Sequence, residues 1–223
     1  DDGLVSYVSD IPAVKGYKAY KQKYNIDKLI STLHDNGIYV IGRLVCFKDP
    51  VLSAQRPDLA VKDVSEGLWK DNHKITWLDP YKKDTWPYII DIAKEALSKG
   101  FDEIQFDYVR FPNDGDKKAM VFSVTDKKKY EVINEFLAYA KSELPGAIIS
   151  ADVFGIICES PEDTEDIGQY LELIGKDIDY ISPMVYPSHY AFGQIVNKVT
   201  FPKPDLDPYG VVYNSLVKAK NRI

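Results

Sequence analysis

The sequence predicts an α/β fold of repeated strand–helix units, a (β/α)8 TIM barrel represented here by an incomplete set of units. Three observations predict it. Apolar spacing alternates between strand-like and helix-like runs along the whole chain. Loops after strands are long (residues 48–80, 113–126 and 187–208), whereas those before strands shrink to a single Gly or a Pro-Gly. That asymmetry belongs to a barrel whose active face is built from its βα loops. The strands also finish in polar residues, where such a face would lie. A doubly wound sheet alternates too, but no Gly-rich phosphate loop follows any strand.

Residues 4–7 read as the end of a strand. Residues 25–36 then place Ile26, Leu29, Ile30 and Leu33 at helical spacing, with Gly37 as a C-cap. Residues 39–47 form a buried strand, and residues 84–98 an amphipathic helix stopped by Gly100. The strand beginning at Phe101 follows. Residues 127–144 read as a helix ending at Pro145-Gly146, and residues 147–154 as the next strand. A helix over 164–174, a strand over 178–186 and a helix over 209–222 complete the series. The count falls short of eight units, so a single partial barrel domain is expected over residues 1–223, lacking a leading unit and the last ones.

With 223 residues and 45% hydrophobic composition, one large domain with a full core is expected. The net charge of −6 and the lack of a Lys/Arg stripe argue against nucleic acid as a partner. Sixteen tyrosines make carbohydrate a mild favourite, because tyrosine and tryptophan stack on sugar rings and offer a polar tip. Cys46 and Cys158 read as small buried hydrophobes. No apolar run is long enough to span a bilayer, and nothing at the start resembles a signal peptide. Asp1-Asp2-Gly3 nevertheless looks like the middle of a protein, from which a signal or anchor could have been lost upstream. An extracytoplasmic or cell-surface bacterial setting is the favoured expectation.

Residues 101–112 carry the most information. Strand parity places Gln105 and Asp107 on one face, with Ile104, Phe106 and Tyr108 on the other. The second face suits helices. A carboxylate on the first would be costly if buried without partners, and a barrel interior near its open mouth avoids that cost. The competing reading is a surface strand that happens to alternate.

Asp152 closes the next strand, with Ser150 on the same face. Two carboxylates from adjacent strands are what glycoside hydrolysis requires, one to attack or activate water and one to protonate the leaving oxygen. Arg43 or Arg110 beside Asp107 would keep it ionised, while the apolar neighbours Val153 and Phe154 would raise the pKa of Asp152. Otherwise the two aspartates only hydrogen-bond loop backbone. Arg43, Tyr108, Arg110, Tyr186 and His189 are expected to line the site, and Trp77 to offer a stacking surface unless it is loop packing. His34 reads as solvated and Asp79 as a turn or cap residue. No histidine pairing suits a metal and no Gly-x-Ser-x-Gly elbow is present, so neither metal nor cofactor is expected.

Four segments resemble a known family: Trp77-Leu-Asp-Pro-Tyr81, Gly100 through Pro112, Ser150-Ala-Asp-Val-Phe-Gly155, and Asp179 through Tyr190. They look like the glycoside hydrolase domain called domain of unknown function 4015, and the likeness runs over essentially the whole chain. It implies a TIM barrel and glycosidase activity. Family 18 chitinases carry Asp-Gly-x-Asp-x-Asp-x-Glu on the equivalent strand. Asp102 and Asp107 match it, but Gln105 replaces the middle Asp, Val109 stands at the catalytic Glu, and Pro187 replaces the Asp after the Met184-x-Tyr186 pair. The alpha-amylase clan is similar in placing its nucleophile at the position of Asp107 and its acid/base on the following strand, where this chain has Asp152. By that analogy Asp107 is the nucleophile or base and Asp152 the acid, acting on a poly- or oligosaccharide. The alternative is a non-catalytic barrel binding carbohydrate or cell-wall glycan, with its carboxylates tied up in salt bridges. A third is another barrel enzyme with a closed pocket for a small polar substrate.

Overall fold

The computed structural model describes residues 2–223. In chain order it runs α1 (Pro12–Gly16), α2 (Ile26–Asp35), β1 (Ile41–Val45), α3 (Pro50–Gln55), β2 (Lys62–Asp63), α4 (Trp86–Ser98), β3 (Glu103–Asp107) and β4 (Met120–Val121). It continues with α5 (Lys129–Glu143), β5 (Ile148–Phe154), α6 (Leu171–Ile174), β6 (Tyr180–Met184), β7 (Gln194–Val196), β8 (Val199–Phe201) and α7 (Pro208–Lys220). Among the described residues, β1, β3, β5 and β6 form one parallel four-stranded sheet in that spatial order. Each crossover between its neighbours includes a helix, as parallel pairing demands.

The helices start where the chemistry allows. The Asn25 side chain accepts the Lys28 N–H and opens α2; Asp49 accepts the Val51 and Leu52 N–H groups and opens α3. Gly37 and Gly100 follow α2 and α4 with φ of +67° and +99°, so the left-handed turn after each helix falls on a residue without a Cβ.

The two sheet faces differ in kind. Ile104, Phe106, Ile149, Ala151 and Val153 point toward α4 and α5 and are fully buried. Phe136 of α5 is the hub of that layer, with ring centroids 5.3 Å from Phe47, 5.5 Å from Phe106 and 5.8 Å from Trp86. The opposite face is polar and cross-linked. Glu103 accepts from Tyr39 Oη at 3.1 Å and from Ser150 Oγ, while Gln105 Nε2 donates to Ser182 Oγ at 3.2 Å. These partners offset the desolvation of a half-buried polar layer.

Five expectations need correction. Residues 39–47 are not a buried strand, because β1 covers only Ile41–Val45 at the edge of the sheet and Ile41 is 45% exposed. Residues 4–7 do not join the sheet; Val5 makes only a single bridge to Tyr20. The helix over 164–174 shrinks to Leu171–Ile174, because the Asp163 carboxylate takes the Ile167 and Gly168 N–H groups and Gly168 adopts φ +84°. A side-chain turn there competes with the helix and wins. Tyr108 does not share the helix-facing side with Ile104 and Phe106. It lies past the end of β3 at φ +48°, which swings its ring out of strand alternation. His34 is not merely solvated, since its Nε2 lies 3.0 Å from Asp102 Oδ2 at the surface. The loop after β6 also holds the β7–β8 hairpin, turned by Asn197 and Lys198, both at positive φ. As expected, Asp79 is a turn residue, accepting from Tyr81 N and from both Ser123 donors. Cys46 and Cys158 are buried free thiols.

Candidate active site

The polar residues gather at the C-terminal ends of β3, β5 and β6. A cavity of about 410 Å³ opens there, lined among others by Asp107, Tyr108, Arg110, Phe154, Met184 and His189. Parallel register explains the placement. Val45 pairs with Asp107, Phe106 with Ala151, and Asp152 with Ser182, which brings Asp107 and Asp152 level on neighbouring strands and on the same face.

Asp107 is buried and fully engaged. Its Oδ2 accepts from Arg43 Nε at 2.9 Å and from Arg43 Nη2, and its Oδ1 accepts from the Tyr108 backbone N–H at 2.6 Å. The positive φ of Tyr108 belongs to this arrangement, because it accompanies a backbone N–H turned toward the carboxylate. Such strain concentrates at functional sites. Asp152 contrasts with it. Its carboxylate makes no hydrogen bond or ion pair with a described residue, and burial, with the negative charge of Asp107 second, pushes its pKa up to about 6. Arg43 pulls in the other direction but does not prevail. Asp152 is not itself in the cavity lining; Phe154, two residues further along the same face, is.

The other expected residues divide. Tyr108, Arg110 and His189 line the cavity with Asp107. Arg43 reaches Asp107 from β1 and also borders a second cavity of about 440 Å³ beside the 2–7 segment. Tyr186 is exposed and stands edge-on to His189 at 5.1 Å between ring centroids. Trp77 is a correction: at 0% exposure it cannot stack on a sugar. It packs edge-on against Tyr108 at 5.6 Å, and its Nε1 donates to Asp71, so it is the wall behind the site.

Two contributors, Glu103 and Gln169, escaped the sequence reading; a third, Lys48, reads from sequence as either cleft-lining or solvated. Glu103 shares the parity of Gln105 and Asp107, a signal that was available. Lys48, nearly buried, sits 4.8 Å above the Tyr108 ring and 3.4 Å from Asp71. Gln169, fully buried, receives the Phe154 N–H and donates toward the carbonyls of Val109 and Asp152, tying the ends of β3 and β5 together. No local pattern marks Gln169, because it comes from the turn that replaced the expected helix.

Gly155 gives the cavity its tight upper seam. A Cβ there would stand 2.5 Å from the Met184 carbonyl oxygen and 3.0 Å from Val185 Cα, both backbone atoms that cannot rotate away. Gly155→Ala is expected to push β5 and β6 apart at their tops and cost about 1–3 kcal/mol of stability in urea unfolding.

Among the described residues no cluster of three or more His, Cys, Asp or Glu is arranged to hold a metal ion, and no helix is long and apolar enough to cross a membrane.

The profile of the family described as putative glycosyl hydrolase domain (domain of unknown function 4015) matches residues 1–223. A hypothetical protein from Ruminiclostridium thermocellum ATCC 27405 is 64% identical over 68% of this chain and 78% of its own, with a TM-score of 0.65. The spore cortex-lytic enzyme SleL of Bacillus megaterium QM B1551 is 18% identical, with a TM-score of 0.50 over 88% of this chain and 36% of that one. The protein described as putative sporulation-specific glycosylase ydhD from Bacillus subtilis is 12% identical, with a TM-score of 0.51 over 91% of this chain and 55% of its own. At those identities the last two share the fold, and this chain spans only 36% and 55% of their lengths. No curated protein matches the chain.

Proposed function

The chain belongs to the putative glycosyl hydrolase domain family, and from that premise we propose that it cleaves a poly- or oligosaccharide with Asp107 and Asp152 as the working pair. The parallel sheet, its polar face and the long loops at the strand ends support reading the domain as part of a (β/α)8 barrel. One observation carries the catalytic reading. Two carboxylates stand level on adjacent strands in opposite environments, one clamped by a guanidinium and a backbone N–H, the other with no hydrogen-bond partner among the described residues and its pKa raised to about 6. Separated environments of this kind assign a base and an acid.

Asp107 is the nucleophile, or the base that activates water. Arg43 fixes its Oδ2 and the Tyr108 N–H its Oδ1, so the carboxylate is oriented before substrate arrives. Asp152, protonated, donates to the departing glycosidic oxygen. Arg110, Tyr108, His189 and the exposed Tyr186 contact the sugar. A carboxyl spacing of roughly 5–5.5 Å in the substrate complex would give retention, and roughly 6.5–9.5 Å inversion.

The sign of the pH dependence follows. The acid works only while protonated, so kcat/KM is expected to fall above about pH 6, tenfold per pH unit, as Asp152 ionises. Rates measured from pH 4 to 9 on a glycan that the protein cleaves would show the limb. A profile flat across pH 5–8 would remove Asp152 from the acid role.

A glycan-binding barrel without catalysis is favoured by one feature, the engagement of both Asp107 oxygens. A panel of poly- and oligosaccharides, assayed for new reducing ends and for binding, separates the two. Binding without cleavage across the panel would select the second reading.

A further inference from the structure

Arg110 is a buried cation that no described carboxylate neutralises. It is only 6% exposed, yet no described residue forms an ion pair with it. Its Nη1 donates to the Phe111 carbonyl at 2.9 Å and to Asn113 Oδ1 at 3.1 Å. Nε and Nη2 donate to no described residue. They are not sealed in the core either, because the only fully buried, unpartnered side-chain polar atoms among the described residues are Tyr7 Oη and Trp86 Nε1. Arg110 is one of the residues that line the cavity at the ends of β3 and β5.

The neighbours of the guanidinium are aromatic. Its carbon lies 4.3 Å from the Phe154 ring centroid and 5.1 Å from those of Trp77 and Tyr108. Rings stabilise the charge through the face of the guanidinium but do not satisfy its in-plane N–H groups. The carboxylates that act on it, Asp114, Asp107 and Asp71, do so at a distance, and desolvation outweighs them, drawing its pKa down to about 10. The backbone around it is anchored, since Phe111 N–H donates to Ile167 O at 2.8 Å and both Val109 and Phe111 are fully buried. A cavity-lining guanidinium anchored through Nη1, with Nε and Nη2 engaged by no described residue, is suited to take a carboxylate by two parallel hydrogen bonds.

We infer that Arg110 is a specificity residue for an acid group, and that the glycan held in this cavity contains a carboxylate-bearing sugar of the uronic acid class. The inference rests on the glycoside-cleaving reading and names its substrate class. The ion pair with Arg43 offsets part of the repulsion that Asp107 exerts on such a sugar. His189, also in the lining, could partner a ring hydroxyl of the same sugar.

The test pairs each acid with neutral forms of the same sugar. Binding of glucuronate and galacturonate, of their methyl esters, and of glucose and galactose is measured by ligand-observed NMR or calorimetry. The acids are expected to bind the wild-type protein about tenfold or more tightly than esters or hexoses. Arg110→Gln should erase that preference, and Arg110→Lys should keep part of it. The ester arm needs no variant, so it decides the matter even if Arg110 substitutions unfold the domain. Equal binding of acids, esters and hexoses would overturn the inference while leaving glycoside cleavage intact. Cleavage confined to neutral glycans, with no uronate bound, would do the same. Absence of both cleavage and sugar binding would remove both readings.

Discussion

Asp107→Asn is expected to lower kcat for glycan cleavage by on the order of 10⁴-fold or more while leaving the fold in place. The substitution is nearly isosteric, and the amide oxygen can still accept the Tyr108 N–H that now binds Oδ1. It removes the negative charge that would attack the anomeric carbon or draw a proton from water. Arg43 would lose its ion pair with Asp107, but its side chain is 45% exposed and water can reach the donors that face Asp107. The stability cost should therefore be about 1 kcal/mol or less. Reducing-end release and a thermal melt on the same preparation separate the two effects. Cleavage at the wild-type rate by a folded Asp107→Asn protein would exclude Asp107 as nucleophile or base.

Phe136→Ala is expected to produce the largest loss of stability, about 3–5 kcal/mol. Phe136 is fully buried between the sheet and α4 and contacts three aromatic rings at 5.3–5.8 Å. Those neighbours come from β3, from α4 and from the segment after β1, so no single element can shift to refill the space. The void would lie beneath β3, the strand that ends in Asp107. Urea unfolding followed by tryptophan fluorescence should show the midpoint falling with little change in slope. A loss below about 1 kcal/mol would mean that the layer repacks and that Phe136 is not its hub.

The strands with alternating polarity were legible because period two survives without knowledge of partners. Asp107 and Asp152 could be placed on one face of neighbouring strands from parity alone, and the register leaves them there. Parity failed one residue later. Tyr108 leaves the strand at positive φ, and nothing in its identity announces this, since a tyrosine rarely adopts that backbone. Apolar spacing over 164–174 suggested a helix, but Asp163 and Gly168 hold a turn that supplies the buried Gln169. Trp77 shows the other limit. An aromatic on a long loop reads as a stacking platform, whereas the β2–β4 pairing and its neighbouring bridges fold that loop back and bury the ring. Loop burial depends on contacts between residues far apart in the chain, which no local pattern encodes. The same holds for Arg110, whose lack of a carboxylate partner among the described residues becomes visible only once its neighbours are known.

The electrostatic coupling of the two aspartates can be measured without knowing the substrate. Carboxyl ¹³C NMR titration of Asp152 should give a pKa of about 6 in the wild-type protein and a lower one in Asp107→Asn, because the neighbouring negative charge is one of the causes that raise it. An Asp152 pKa near the ordinary 3.8, unmoved by the substitution, would contradict the pairing on which the proposed mechanism stands.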